Sequence, residues 1–311
     1  MTSPILTAAI VGLEAYSVSV EADISPGMPA FCIVGLPDTS IQEARERVRS
    51  AMKHAEHEFP RTRVIVNLAP ADLKKTGTPF DLPIALAILT ARGDLPSEGD
   101  RTRLFAGELA LDGTLRPIRG ALSIALLAKR LHMDELILPE ANVKEAALVD
   151  GVVIMAAKNL RTVIDHLTHQ RSLPIQPSAP PTSSPSTTFR TDFSAIRGQE
   201  QARRALEIAA AGGHNVLMQG PPGSGKTLLS RAFPSILPIM TPEEAIEVTQ
   251  IHSVAGALFH GGAITERPFR APHHSASPVS LVGGGSQPRP GEISLAHRGV
   301  LFLDEFPEFA R

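Results

Sequence analysis

The sequence contains a single cysteine, Cys32, among its 311 residues. One cysteine excludes an internal disulfide, a zinc site built on a CxxC pair and an iron–sulfur cluster, and it is typical of a reducing compartment. Cys32 lies in the apolar run at residues 31–34. We therefore expect it to be a small core residue rather than a reactive thiol.

The chain also lacks long hydrophobic runs and an excess of charge of one sign. No apolar run reaches the roughly 18 residues that a membrane span needs, and no basic segment of a signal peptide opens the sequence. Thirty Lys and Arg against 32 Asp and Glu give a net charge of -2. Because this balance excludes a generally basic surface, any site for a polyanion must be local. We expect a cytoplasmic protein with no membrane partner.

Length and composition predict two domains joined by a linker. The chain is longer than most single domains, and between Leu173 and Thr188 five prolines and a series of Ser and Thr replace the apolar periodicity. We place the first domain at residues 1–171, the linker at 172–190 and the second domain at 191–311.

The first domain has the pattern of an α/β fold. Short β-branched runs at residues 64–68 and 136–138 alternate with stretches of helical period. One helix should begin after Pro37, where Thr39 and Gln42 have the spacing of a capping box. Two further helices are predicted at residues 81–89 and 120–131.

The second domain opens with a phosphate-binding motif. A helix predicted at residues 199–211 is followed by a short strand at 215–219 and then by the sequence GPPGSGKT, which matches the P-loop pattern GxxxxGK[ST]. Glycines let the backbone N–H groups wrap a phosphate, the lysine reaches the β- and γ-phosphates, and the threonine hydroxyl can ligate Mg²⁺. The predicted nucleotide site consists of Gly220, Pro221, Pro222, Gly223, Ser224, Gly225, Lys226 and Thr227.

A second motif, VLFLDE at residues 300–305, has the pattern of a Walker B strand. Four consecutive apolar residues at 300–303 are typical of a central parallel strand that is buried on both faces. Asp304 would hold the Mg²⁺ shell, and Glu305 would polarise the attacking water. The predicted cofactors are therefore ATP and Mg²⁺, with Lys226 and Glu305 as catalytic residues.

A long insert between these motifs is locally basic. Residues 267–298 contain four arginines, three histidines and one acid, Glu292. Arg267 and Arg270 are candidate DNA contacts, and a solvated loop or a packing surface between subunits is the alternative. A metal site at His273 and His274 is disfavoured, because adjacent side chains on a strand point to opposite faces.

The sequence resembles the YifB/ComM family of magnesium-chelatase-like AAA+ ATPases. The resemblance covers nearly the whole chain apart from the linker. In the first domain it rests on the sequences LPDT (36–39), NLAPADL (67–73), FDLPIA (80–85), GEL (107–109) and LRPIRG (115–120). In the second it rests on RPFRAPHH (267–274), GEISLAH (291–297) and LFLDE (301–305).

The resemblance implies a ribosomal-S5-like first domain, as in Lon proteases and RadA, followed by a P-loop AAA+ domain with a parallel sheet. It implies an adenine pocket lined by Ile196, Gly198 and Gln199. It also implies a homo-hexameric ring that hydrolyses ATP and acts on single-stranded or branched DNA, as a branch-migration motor in natural transformation. Two other functions stay open: a chelatase-like motor that remodels a protein partner, and a non-catalytic nucleotide-binding module.

The sequence departs from the related families at three places. Thr78 stands where Lon has its nucleophilic serine, and no lysine occupies the position of the dyad base near Arg119. The first domain should therefore be non-proteolytic, although Thr78 could pair with Lys74 or Lys75. Arg298 replaces an expected asparagine. The elements that follow Walker B in the family, including sensor 1 and the arginine finger, do not occur before Arg311, so we expect these residues alone to hydrolyse ATP slowly.

Overall fold

The computed structural model describes residues 4–96, 102–182, 191–258, 262–285 and 288–309. The chain forms two compact units, one of Met1–Pro180 with Gly256–Gly262 and the other of Pro181–Ala255 with Ala263–Arg311. Within the described ranges, no helix combines the length and the apolar character that crossing a membrane requires.

The first unit is an α/β structure built on one mixed sheet. Its strands are β1 (Ile5–Val11), β2 (Glu14–Ser25), β3 (Ala30–Val34), β4 (Arg63–Ala69), β5 (Arg103–Phe105), β6 (Glu108–Leu109), β7 (Leu115–Arg116), β8 (Glu135–Pro139), β9 (Val153–Ala157) and β10 (Ile175–Gln176). Eight of them form a sheet in the order β10-β9-β8-β5-β1-β2-β4-β3, and β6 pairs with β7. Strands β9, β8, β5 and β1 pair in parallel, and so do β4 and β3, whereas β2 pairs antiparallel with both β1 and β4. The α/β prediction is therefore confirmed.

Five helices accompany this sheet in the described part of the first unit: α1 (Thr39–His54), α2 (Asp81–Arg92), α3 (Ala121–Arg130), α4 (Val143–Ala146) and α5 (Leu160–Leu167). The helices predicted from the apolar period after Pro37, at 81–89 and at 120–131 are confirmed. Helix α1, however, is capped by Asp38, whose carboxylate accepts from the Ile41 N–H at 3.0 Å. The predicted capping box at Thr39 was therefore one residue late.

Two other expectations for the first unit were wrong or incomplete. Cys32 is exposed, because the strand period of two buries Phe31 and Ile33 and directs the residue between them outward. The range 172–190, assigned to a linker, contains β10, which pairs with β9, and Leu173 is buried. The remaining linker residues 183–190 lie outside the described ranges.

In the segment that precedes α2, the side chains of Thr78 and Lys75 each contact a residue other than one another. The Thr78 hydroxyl donates to the Glu108 carboxylate, while Lys75 is completely buried and its ammonium donates to the Pro70 carbonyl. Desolvation lowers the pKa of Lys75, but its ammonium is committed to Pro70 rather than to Thr78. These contacts favour a structural role for the segment.

A buried ion pair joins α1 to α2. The Arg47 guanidinium contacts the Asp81 carboxylate at 2.6 and 3.0 Å, and the Leu109 N–H donates to the same carboxylate at 3.1 Å. The Asp81 side chain has no exposed surface, and that of Arg47 is 18% exposed. Burial raises the pKa of Asp81 to about 6, while the contacts with Arg47 and Leu109 act in the opposite direction.

The second unit contains the two nucleotide-binding motifs. Its helices are α6 (Glu200–Gly212), α7 (Lys226–Ala232), α8 (Pro242–Ala255), α9 (Pro278–Val282) and α10 (Glu292–Leu295), and its strands are β11 (Phe269–Arg270), β12 (Gly283–Gly284), β13 (Arg289–Pro290) and β14 (Val300–Leu301). Helix α6 ends at Gly213, whose φ of 63° suits glycine. A small core of Phe193, Ile196, Leu206, Leu229 and Ala232 lies beneath α6 and α7.

One strand prediction in this unit was wrong, and another holds only for part of its range. Residues 215–219 form no strand, and Leu217 is 86% exposed, because no neighbouring strand pairs with them in the described residues. The Walker B strand spans only Val300–Leu301 and is half-buried. Among the described residues it pairs in parallel with β11 only, and a central, fully covered strand would have a second neighbour there.

Candidate functional site

The P-loop joins residues 215–219 to α7 and is shaped by two glycines with left-handed backbone conformations. Gly223 and Gly225 have φ values of 77° and 87°, which side-chain-bearing residues rarely adopt. The turn lets the chain enter α7 directly at Lys226. The GxxxxGK[ST] spacing thus places Lys226 and Thr227 in the first turn of the helix that follows the loop.

Lys226 folds back over its own loop. Its ammonium donates to the carbonyls of Gly220 at 2.8 Å and Pro221 at 3.0 Å, and it lies 3.5 Å from the Ser224 hydroxyl. An ammonium held above a loop of backbone N–H groups is the donor set that a phosphate needs. The residues present therefore fit the polyphosphate of a nucleotide.

Thr227 and Asp304 come together although 77 positions separate them. The Thr227 hydroxyl donates to an Asp304 carboxylate oxygen at 3.3 Å. Mg²⁺ at phosphate sites is usually held by one or two protein oxygens together with phosphate oxygens and water. The pair fits that ion, and no cluster of three or more His, Cys, Asp or Glu placed for a metal occurs in the described part of the chain.

Pairing between β11 and β14 fixes the position of Asp304 and Glu305. The Val300 N–H donates to Pro268 and the Phe302 N–H to Arg270, both at 2.8 Å. The strands approach so closely at Gly299 that a Cβ there would collide with the Pro268 carbonyl. This pairing also brings the insert, beginning with β11, alongside the Walker B residues, which spacing alone did not predict.

Glu305 has a histidine partner that the sequence interpretation missed. The His274 Nδ1 lies 3.2 Å from a Glu305 carboxylate oxygen. The rings of His273 and His274 are 4.0 Å apart and tilted by 36°. The expectation of opposite-facing histidines was therefore wrong, because they occupy a loop after β11 rather than a strand.

Arg267 and Arg270, the candidate DNA contacts, are both engaged inside the second unit. Arg267 donates to Glu244 at 3.1 Å and to two carbonyls, and its side chain is 14% exposed. Arg270 makes a two-pronged contact with Glu292 at 2.6 and 2.7 Å, which raises the pKa of Arg270. Their DNA role stays a prediction, and the observed contacts favour packing.

Arg298, the residue found in place of an expected asparagine, has a left-handed backbone conformation with a φ of 58°. Its guanidinium contacts Glu247 at 3.0 Å and Glu244 at 3.4 Å. The Arg298 side chain thus connects the turn before β14 to α8 through ion pairs at the protein surface.

The residues assigned to the adenine pocket lie beside the P-loop but differ in exposure. Ile196 is buried against Phe193 and Leu229 in the small core. The Gln199 amide, in contrast, donates to the Ser224 carbonyl at 3.3 Å, and Gly198 has a φ of 67°. Gln199 therefore connects the start of α6 to the phosphate loop.

Comparison with known proteins gives consistent matches over most of the chain. The family model for magnesium chelatase, subunit ChlI, matches residues 192–311, and that for subunit ChlI of Mg-chelatase matches residues 20–142. The YifB protein of Salmonella typhimurium is 46% identical over 305 residues, and that of Escherichia coli is 45% identical over the same number. Competence protein ComM of Haemophilus influenzae is 46% identical over 308 residues.

These alignments cover 97 to 98% of the chain but 60% of each of the three relatives. The chain thus spans less than two thirds of the length of the curated relatives that it matches. The first of these family models covers the part of the second unit that contains the P-loop and Walker B residues, and the second covers part of the first unit. The chain belongs to the YifB/ComM family of magnesium-chelatase-like AAA+ proteins.

Proposed function

We propose that this chain is the ATP-binding part of a ComM-like AAA+ motor. The contact between Thr227 and Asp304 at 3.3 Å carries the proposal, because it joins the two motifs that a P-loop enzyme uses to hold Mg²⁺ and phosphate. The ammonium of Lys226 lies over the same loop.

Nucleotide binding would redirect hydrogen bonds that the chain now makes to itself. Lys226 would exchange the carbonyls of Gly220 and Pro221 for the β- and γ-phosphate oxygens, and Thr227 and Asp304 would hold the metal shell. Mg²⁺, when bound, neutralises charge on the phosphate oxygens. Gln199, which already contacts the loop, would lie beside the base together with Gly198 and Ile196.

Glu305 is the candidate base for hydrolysis. It directly follows Asp304, its side chain is 67% exposed, and its carboxylate can accept a proton from a water directed at the γ-phosphate. Lys226 would stabilise the charge that develops on the phosphoryl oxygens. These residues would supply part of what ATP hydrolysis requires, and the slow turnover expected from the sequence stays a prediction.

Replacing Lys226 with Ala should weaken ATP binding in the presence of Mg²⁺ by at least about tenfold, because a hydrogen bond to a charged group contributes roughly 1.5 to 3 kcal/mol. Calorimetric titration with ATP checks this result. Arg231→Ala is the matched control, since Arg231 is an exposed cation on the same helix. Equal ATP affinity of the Lys226→Ala variant and the unchanged chain would contradict the proposal.

We propose further that the whole protein processes DNA as a ring of identical subunits. This proposal rests on the similarity to a competence protein and on the local basicity of the insert. A motor that remodels a protein partner is the competing function within the same family. Binding of branched DNA that depends on ATP would favour the first, and ATP-dependent binding of protein without any DNA affinity would favour the second.

The exposed arginine Arg289 on the β12–β13 hairpin should contribute to DNA binding more than Arg267 does. No ion pair engages Arg289 among the described residues, whereas Arg267 is held by Glu244. Arg289→Glu should weaken DNA binding. The slope of the logarithm of DNA affinity against the logarithm of salt concentration should become shallower by about 0.7 to 0.9 per lost phosphate contact. Arg267→Glu should instead lower the melting temperature.

Titrations of fluorescent branched DNA at several salt concentrations measure this difference. A salt slope that falls in Arg267→Glu and stays constant in Arg289→Glu would contradict the assignment. It would instead support the contacts predicted from sequence at Arg267 and Arg270.

A further inference from the structure

Strand β3 forms one edge of the eight-stranded sheet, and no strand pairs with its outer side among the described residues. The Ala30 N–H donates to the Thr62 carbonyl at 3.4 Å, on the side of β4. Because backbone groups point alternately to the two sides of a strand, those of Phe31 and Ile33 point outward. An edge of this kind is a template on which another extended chain can add a strand.

The strand itself carries none of the residues that usually protect an edge. Residues 30–34 read AFCIV, without a charged residue or a proline. Ala30, Cys32 and Val34 are exposed on one face, so they present an uncharged surface next to the open edge. A lysine or a proline at such positions would disfavour pairing with another chain. Any protection of β3 must therefore come from another element.

Helix α1 supplies two side chains that occupy the outward carbonyls of β3. The Arg45 guanidinium donates to the Phe31 carbonyl at 3.2 Å, and the Gln42 amide donates to the Ile33 carbonyl at 3.4 Å. The Arg45 guanidinium also donates to the Gln42 side-chain oxygen at 2.5 Å, so the Gln42 amide nitrogen is the atom that faces the strand. Both side chains are half-buried. They lie where the N–H donors of an added strand would lie.

We propose that the β3 edge is an interaction surface for the β3 strand of a second copy of this chain, and that Gln42 and Arg45 keep this surface closed. The outward residues Phe31 and Ile33 are placed symmetrically about Cys32, so a second copy fits the edge through a two-fold axis. Phe31 of one copy would then exchange N–H and C=O bonds with Ile33 of the other. Each of these bonds needs a carbonyl that Gln42 or Arg45 now covers. The inference is independent of the proposed ATPase function.

Cys32 reports this pairing directly. In the antiparallel arrangement the Cys32 residues of the two copies would lie opposite each other in a non-hydrogen-bonded pair, whose Cα atoms are about 4.5 Å apart. That separation lies within the range of a disulfide, roughly 4.4 to 6.8 Å. Cys32 is the only cysteine of the sequence, so a disulfide-linked dimer can form only through it.

The test compares the double variant Gln42→Ala/Arg45→Ala with the unchanged chain during oxidation by diamide, which takes up the two electrons and two protons that the thiols release. At equal protein concentration the double variant should form the disulfide dimer at least about tenfold faster, because the freed carbonyls become available for bonds between copies. Non-reducing electrophoresis measures the dimer. Arg49→Ala is the matched control, since Arg49 is an exposed arginine of the same helix that stacks over the Phe59 ring and is not needed to cover the edge.

Two further measurements separate strand pairing from changes in folding or in thiol exposure. Alkylation of Cys32 by iodoacetamide should proceed at the same rate in every variant, because the thiol is already exposed. Thermal melting reports whether each variant folds. If the double variant does not fold, Arg45→Ala alone decides in comparison with Arg49→Ala, because it removes one donor and releases Gln42 from its contact with Arg45.

The outcomes are distinct from those that test the ring of identical subunits. Association elsewhere in the chain is common to all variants and cancels in the comparison. Dimer formation at the unchanged rate in Gln42→Ala/Arg45→Ala would overturn the proposal, and so would an equal acceleration in Arg49→Ala. A faster alkylation that matches the faster dimer formation would assign the effect to thiol exposure and would overturn it as well.

Discussion

Glu305→Gln should lower the rate of ATP hydrolysis by at least about a hundredfold, because a positioned general base contributes roughly 10² to 10⁴ to such a reaction. The amide keeps the size and polarity of the side chain but cannot take a proton from water. ATP affinity should change little, since the proposed contacts with the nucleotide and Mg²⁺ are those of Lys226, Thr227 and Asp304. The measurement is phosphate release in a single turnover, with protein in excess over ATP.

Glu308→Gln is the matched control for this substitution. Glu308 is an exposed carboxylate three residues further along, and its N–H donates to the Glu305 carbonyl at 2.8 Å. Its side chain has no part in the proposed reaction, so that its variant should hydrolyse ATP at the unchanged rate. A rate retained in Glu305→Gln would assign water activation to another residue.

Arg47→Leu should destabilise the first unit by about 3 to 5 kcal/mol, the usual cost of breaking a buried ion pair from one side. The Asp81 carboxylate would keep only the Leu109 N–H in a site without solvent contact. Urea unfolding can be followed through Tyr16, because this is the one tyrosine of a chain that contains no tryptophan and it lies on β2 of the first unit. The signal therefore reports that unit alone.

The loss of stability in Arg47→Leu should depend on pH, in a direction that the pKa of Asp81 determines. Its pKa in the folded state, about 6, exceeds the value of about 3.9 for an exposed aspartate. Such a group stabilises the fold fully below the unfolded pKa and loses this contribution as the pH rises through the folded pKa. Removing Arg47 raises the pKa of Asp81 further, so the deficit should be largest near pH 8 and smaller near pH 5.

Two further variants control for this measurement. Arg61→Leu removes an arginine that is 87% exposed and 3.8 Å from its partner Glu58, and it should cost less than about 1 kcal/mol at any of these pH values. Asp81→Asn, added to Arg47→Leu, removes the buried charge and should restore part of the stability. A loss of stability in Arg47→Leu that grows as the pH falls would contradict this prediction.

Local patterns in the sequence predicted the helices because their causes are local. The apolar period after Pro37 indicates a helix, and the glycines after α6 end one, through interactions between residues that are close in sequence. The P-loop was recognisable for the same reason, since the backbone conformations at Gly223 and Gly225 follow from residue type.

Contacts between distant segments were beyond the reach of these patterns. A run such as residues 215–219 becomes a strand only if another strand lies beside it, and none does among the described residues. The contact from His274 to Glu305 depends on the pairing of β11 with β14, which no spacing rule gives. The Arg47–Asp81 pair likewise joins residues 34 positions apart. A helix pattern showed α1 and α2 but not which of their charged side chains would meet.

The burial of Lys75 makes two adjacent lysines chemically different. Lys74 is exposed, whereas Lys75 has no accessible surface and donates to the Pro70 carbonyl. Desolvation lowers the pKa of Lys75, yet an acylating enzyme or an amine-directed reagent cannot reach its nitrogen while the unit is folded. Covalent modification at this pair is therefore confined to Lys74, and a label on Lys75 would record that the first unit had opened.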